Sequence, residues 1–188
     1  MIRNKVMVFC CFLASKIAFA TLPIGQVPPQ IKLEGDAGGR IDGSAWDSQE
    51  LQGKVHLVVY SAPGSKDLNN KATEAVKKEK FPRDKFASVA VVNMAASWLP
   101  NSWINSAIKS KQEKYPDTIY VKDINKSLVN NWGLKDDSND ILLLNQKGEV
   151  IFSFDGELQE NDIKKLVELA KTNIFTEQEQ AKSTAWGK

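Results

Sequence analysis

Sulfur, long apolar runs and charge imbalance are all scarce in this 188-residue chain, and each scarcity excludes something. The only cysteines, Cys10 and Cys11, fall in a leader-like segment. Arg3 and Lys5 make a basic start, Val6 to Leu13 is mostly apolar, and Ala18-Phe19-Ala20 fits a small-x-small cleavage site. Residues 1–20 therefore read as a secretory signal peptide cut after Ala20, and neither cysteine stands at a plausible lipoprotein cut. The mature chain would then carry no thiol. That excludes disulfide staples, thiol–disulfide exchange and peroxidatic chemistry, since each needs a thiolate. No membrane anchor is expected after cleavage, because the apolar run is too short for about 30 Å of hydrocarbon and Lys16 interrupts it.

The formal charge of +2 becomes −1 once Arg3, Lys5 and Lys16 leave with the leader. So even a balance makes nucleic acid and anionic lipid poor partners. Lysines do cluster, at Lys77, Lys78 and Lys80 and at Lys109, Lys111 and Lys114, but Glu79 and Glu113 are interspersed on what read as polar helix faces. With 42% hydrophobic residues, the chain fits one domain over residues 21–175 that buries its own core, with a polar tail over 176–188.

What is present centres on Val55 to Asp67, V-H-L-V-V-Y-S-A-P-G-S-K-D. A β-branched apolar run breaks into small turn residues at Ser61 to Ser65, and a helical pattern of Leu68, Ala72, Ala75 and Val76 follows. Ser65 suits the helix N-cap and Asp67 its positive end. In an α/β protein the loop from a central strand into a helix is where ligands and catalytic groups collect.

Around that unit the pattern predicts further elements. Ile31 to Leu33 is a short strand, Asp36 to Gly39 a turn, and Arg40 to Asp42 the return of a hairpin. Trp46 to Leu51 reads as one helical turn, with Trp46 and Leu51 anchored in the core. Pro82 ends the first long helix. Phe86 to Val92 forms a second buried strand, parallel to the first because a helix crosses over between them. Met94 to Asn105 is the longest loop, and Pro100 opens a helix with Trp103, Ile104, Ala107 and Ile108 on its apolar face. Thr118 to Val121 is a strand and Ile124 to Trp132 a helix capped by Gly133. A polar loop covers Lys135 to Asp140. Ile141 to Leu144 and Val150 to Phe154 make a hairpin, and Ile163, Leu166, Val167 and Ala170 mark a final amphipathic helix.

The order strand, helix, strand, helix, hairpin, helix, with Leu51-Gln52-Gly53-Lys54 before the central strand, resembles the thioredoxin-like fold. It implies a three-layer α/β/α sandwich on a mixed sheet with extra N-terminal strands, a peroxiredoxin-like variant. In redox relatives the turn carries Cys-x-x-Cys; here Gly64 to Asp67 reads Gly-Ser-Lys-Asp. The cis-proline that faces it in those relatives falls at about Asn139. The chain is most similar to the YtfJ-like family of bacterial periplasmic proteins. The likeness runs through Gly25-Gln26-Val27-Pro28-Pro29, Trp46 with Gln49 to Val55, Phe81-Pro82-Arg83-Asp84, Val92-Asn93, Lys114-Tyr115-Pro116 and Asn145-Gln146-Lys147-Gly148. This resemblance implies a periplasmic protein without redox cysteines, and it implies no activity.

The expected function is binding, at a cleft of Ser61, Pro63, Gly64, Ser65, Lys66 and Asp67 facing Asp137 and Asn139. Trp98 joins it if the loop tryptophans Trp98 and Trp103 are exposed rather than core. The partner would be another periplasmic protein or a small ligand, with no cofactor. The alternative is a non-thiol enzyme using Ser61, Ser65, Lys66 or Asp67 with His56, although no G-x-S-x-G elbow is present and His56 reads more simply as a satisfied strand residue. Asp136, Asp137 and Asp140 with Asn139 could offer oxygens to Ca²⁺. They lack the Gly and distal Glu of an EF-hand loop and read first as turn residues, so no metal is expected.

Overall fold

The valine-rich run from Val55 forms the middle of a six-stranded sheet, in a computed structural model that describes residues 22–175. The strands are β1 (Lys32–Leu33), β2 (Gly38–Arg40), β3 (Trp46–Asp47), β4 (Val55–Ser61), β5 (Phe86–Asn93), β6 (Thr118–Asp123), β7 (Asn139–Leu144) and β8 (Val150–Asp155). The helices are α1 (Asn70–Lys78), α2 (Asn101–Lys114), α3 (Ser127–Trp132) and α4 (Glu160–Ile174). The main sheet runs β2-β6-β5-β4-β7-β8, and β1 pairs with β3 apart from it. β4, β5 and β6 are parallel; β2, β7 and β8 are each antiparallel to their neighbours.

β4 is apolar at nearly every position because both of its faces are covered, as expected of central parallel strands. Val58 and Tyr60 face a core with Val89, Val91, Val121 and Leu142, closed by Trp46, Leu51, Leu128 and Trp132. Val55 and Leu57 face the other way, against Ala72 and Val76 of α1 and Leu166, Ala170 and Ile174 of α4. Ile104 and Ile108 of α2 pack on Met94 and Tyr120. The result is the expected thioredoxin-like sandwich.

Several local expectations are corrected. Ile31 to Leu33 does not form a hairpin with Arg40 to Asp42: β1 pairs with Trp46–Asp47, and Gly38–Arg40 instead joins the sheet beside β6. The reason is Gly38, at φ 128°, where an added Cβ would lie 1.9 Å from the Lys122 carbonyl oxygen. Only glycine can approach β6 so closely, and a turn covers just Gly35–Ala37. Trp46 is buried as an anchor, but in a strand; the helical turn is Ser48–Leu51, with Asp47 and Glu50 closing a capping box. Trp103 and Ala107 are not on the buried face of α2, which Ile104 and Ile108 occupy alone. Asn139 and Asp140 belong to β7 rather than to a loop. The expected signal peptide and the tail over 176–188 lie outside the described residues.

Candidate functional site

The turn at the end of β4 is held by backbone rather than by a helix cap. Pro63–Ser65 forms a 3-10 turn, and α1 starts only at Asn70, so Ser65 is not its N-cap and Asp67 is not in its first turn. The helix is delayed because Asn69, only 3% exposed, is fixed by three tertiary bonds. Its Nδ2 donates to Asn139 Oδ1 at 2.9 Å and to the Gly156 carbonyl at 2.8 Å, and its Oδ1 accepts from the Leu158 amide at 2.9 Å. These pairings cross from the turn to the β7–β8 side of the sheet.

The expected facing pair is thereby brought together. Ser61 and Asn139 are register partners, both buried. Asn139 Nδ2 donates to the Ser65 carbonyl at 3.0 Å, and the Ala62 amide donates to the Ser138 carbonyl at 2.9 Å. Pro63 and Ser65 are half-buried; Gly64, Lys66, Asp67 and Asp137 are exposed. Asp67 sits 3.2 Å from Lys111 Nζ and 3.3 Å from Lys66 Nζ, and these lysines hold its carboxyl below the usual range, Lys111 foremost. Trp98 is 92% exposed and Trp103, in the first turn of α2, 68%, so both tryptophans are surface, not core.

His56 is not brought to this turn. It lies near the other end of β4, five residues from Ser61, or about 16 Å at roughly 3.3 Å per strand residue. Its Nδ1 is 3.1 Å from the Lys54 carbonyl, and burial pushes its pKa down. The non-thiol enzyme that pairs His56 with the turn therefore has no assembled base. Concavities of about 200 Å³, along Arg40, Gln112 and Tyr120, and about 380 Å³, along Ala75, Ile163 and Lys171, also lie away from the turn. The acidic loop does not gather ligands: Asp136 is 2.5 Å from Lys126 Nζ and 2.9 Å from Asn93 Nδ2, and Asp140 turns inward. Among the described residues no three metal-ligating His, Cys, Asp or Glu side chains come together.

One arrangement escaped the sequence reading. Tyr60, Asn93, Asp123 and Asp140 form a row across β4, β5, β6 and β7, all on the face that carries Val58, Val91, Val121 and Leu142, and all at most 1% exposed. The registers set Tyr60 opposite Asp140 and Asn93 opposite Asp123, with Asn93 two residues beyond Val91, the β5 partner of Tyr60. Tyr60 Oη donates to Asp123 Oδ2 at 3.3 Å, and that carboxyl also accepts the Ser127 and Leu128 amides at 2.8 and 2.9 Å, capping α3. Burial, then Asp123, pushes the Tyr60 phenol far up. Burial, then the like charge of Asp155, pushes Asp140 up to about 7. Asn93 Oδ1 is buried without a partner among the described residues. The available signal was a polar residue at the end of each apolar strand: V-N-M, V-K-D, N-D-I. Of these, only Asn139 and Asp140 fall in what the sequence marks as a polar loop, and Asp123 carries no other sequence signal of its own.

Comparisons with known proteins give a family and a fold. Residues 30–173 match the family described as a bacterial protein of unknown function, YtfJ_HI0045. The Escherichia coli K12 protein YtfJ is 26% identical over 182 residues, covering 90% of this chain and 97% of its own. A Haemophilus influenzae protein is 30% identical over 128 residues, covering 66% and 69%. Among solved structures, a putative protein disulfide isomerase from Bacteroides thetaiotaomicron superposes with TM-score 0.61 at 16% identity, over 85% of this chain and 95% of that one. A putative thiol:disulfide interchange protein DsbE from Chlorobium tepidum gives 0.58 at 18%, over 82% and 99%. At such identities these likenesses establish the fold alone, and with the family match spanning most of its length, the chain belongs to the YtfJ family on a thioredoxin-like fold.

Proposed function

We propose that this chain is exported to the periplasm, cut after Ala20, and acts there by binding rather than by thiol chemistry. The observation that carries this reading is the turn itself. It keeps its place after β4 and its backbone ties to the β7 side, yet Gly64 to Asp67 offers no sulfur, and both cysteines of the chain precede residue 12. A scaffold preserved around a site without its reactive atoms is suited to recognition. The binding surface is the cleft of Ser61, Pro63, Gly64, Ser65, Lys66 and Asp67 facing Asp137 and Asn139, with exposed Trp98 as an anchor beyond the end of β5. Exposed tryptophan offers large apolar area on a side chain with few rotamers to freeze, which suits a contact residue. Its partner is another periplasmic protein or a small ligand.

The test is recovery from a periplasmic extract by the mature chain, with Ser65→Trp to fill the turn and Trp98→Ala to remove the anchor. One protein or compound retained by the wild type and lost from both variants supports the cleft. Equal recovery by all three sinks it. Failure of the exported wild-type chain to lose residues 1–20, read by intact mass, would sink the export step separately.

A further inference from the structure

The segment Leu134 to Ser138 crosses from α3 to β7 and covers the end of the sheet beside the turn. It has little apolar anchorage beyond Leu134 and is held instead by charged and polar bonds to five places. Asp136 accepts from Asn93 Nδ2 through both its carbonyl, at 2.7 Å, and its side chain. Asp136 also pairs with Lys126, which sits in the left-handed region at φ 56° just before α3. Ser138 Oγ donates to Asp155, and Lys135 Nζ lies 3.5 Å from the same carboxyl. The Lys135 amide donates to Asp140 Oδ2 at 3.3 Å. The far end is closed on the turn by the bond from Ala62 to Ser138.

Asp140 occupies the centre of this arrangement. Across the sheet it is directly opposite Tyr60 of β4 on one side and Asp155 of β8 on the other. Asp123 from β6 and Asp136 from the segment stand around the same Tyr60, so acids approach from three elements. The cation facing Asp140 is Lys135, whose ammonium group lies on Asp155. Like charges directly opposite in a ladder destabilise it, and a buried carboxylate lacking a cation of its own is costly.

We propose that Asp140 is the proton-sensing element of a latch, holding the 134–138 segment closed on the turn when protonated and loosening it when ionised. Ionised, Asp140 repels Asp155, the residue to which Ser138 and Lys135 are tied, and the bond from Ala62 to Ser138 is lost with them. The proton goes to solvent as the segment opens. The sign follows from linkage. The closed state keeps Asp140 protonated up to about pH 7, whereas an opened, solvated Asp140 releases its proton near pH 4. Opening therefore becomes easier as pH rises between those limits, by at most about tenfold per pH unit, and levels off above the upper one. The latch acts on the cleft proposed above as the binding surface, but its test reads the backbone alone, so either idea can fail without the other.

The experiment is amide hydrogen exchange of the folded chain between pH 5 and 8.5, corrected for intrinsic rates. The reporters are the Ala62 and Gly156 amides, which donate to Ser138 and Asn139, and the Leu142 amide inside the sheet is the reference. Protection of Ala62 and Gly156 should fall several-fold to about a hundredfold from pH 5 to 7 while that of Leu142 holds. Asp140→Asn should be protected and flat across the range. Asp155→Asn, which removes the opposing charge, should move the levelling point to lower pH. Flat protection in the wild type, or an unchanged slope in Asp140→Asn, overturns the latch. Should Asp140→Asn not fold, the Asp155→Asn profile and the wild-type carboxyl carbon shift of Asp140 decide it, an Asp140 titrating near 4 being fatal.

Discussion

The two ends of β4 differ more than the two faces of the sheet. Seven polar or charged side chains are buried among the described residues, and only His56 lies at the amino end of the parallel strands, where the Lys54 carbonyl satisfies it. The other six, Ser61, Asn69, Asn93, Asp123, Asn139 and Asp140, gather at the carboxyl end. The amino end is built as core, while the carboxyl end places polar groups where apolar ones would pack with less cost. With no cysteine between Ser61 and Asp67, that end presents a fixed polar floor beneath an exposed rim. Rim and floor should therefore respond differently to substitution, and the contrast can be broken at either.

The floor should give the largest losses. Asp123→Ala unpairs the Ser127 and Leu128 amides and the Tyr60 hydroxyl together, and should cost about 3 kcal/mol, read from urea unfolding. Asn69→Ala strands the Leu158 amide, the Gly156 carbonyl and Asn139, and should cost about 2 kcal/mol by the same measurement. Asp140→Asn should run the other way. Its wild-type pKa is raised on folding, so wild-type stability declines as pH climbs from about 4 to about 7. The variant should thus match the wild type near pH 4 and exceed it by about 1 to 2 kcal/mol at pH 8, well within the ceiling of about 1.4 kcal/mol per pH unit. At the rim, Lys66→Ala and Trp98→Ala should leave the unfolding midpoint in place, since both side chains are exposed and surface ion pairs contribute little. A large loss from Lys66→Ala, or none from Asp123→Ala, would erase the distinction.

The architecture was legible because its signals are periodic. The run at Val55, the valines before Asn93 and the apolar hairpin at Ile141 each marked a strand, and Leu166 with Ala170 marked a helix face. The turn's place and its missing sulfur were legible for the same reason. What failed was local chemistry overruled by tertiary contacts. Ser65 is a good cap by type, but the three bonds of Asn69 set the helix start. Trp103 fits an apolar spacing, but Ile104 and Ile108 are the residues of α2 that are buried. The polar floor was invisible for a different reason. Asn93, Asp123 and Asp140 are far apart in the chain, each resembles an ordinary strand end, and only the sheet registers bring them to one end of one face.

Gly38 reaches beyond its own turn. The three-residue strand it begins is all that covers β6 on that margin of the sheet. Any side chain there would press on the Lys122 carbonyl and lift the cover away. The row of unpaired amides and carbonyls then bared on β6 would be a template for another molecule's strand. A glycine chosen for local fit thus also guards solubility, and its replacement should appear first as aggregation during expression rather than as a weakened fold.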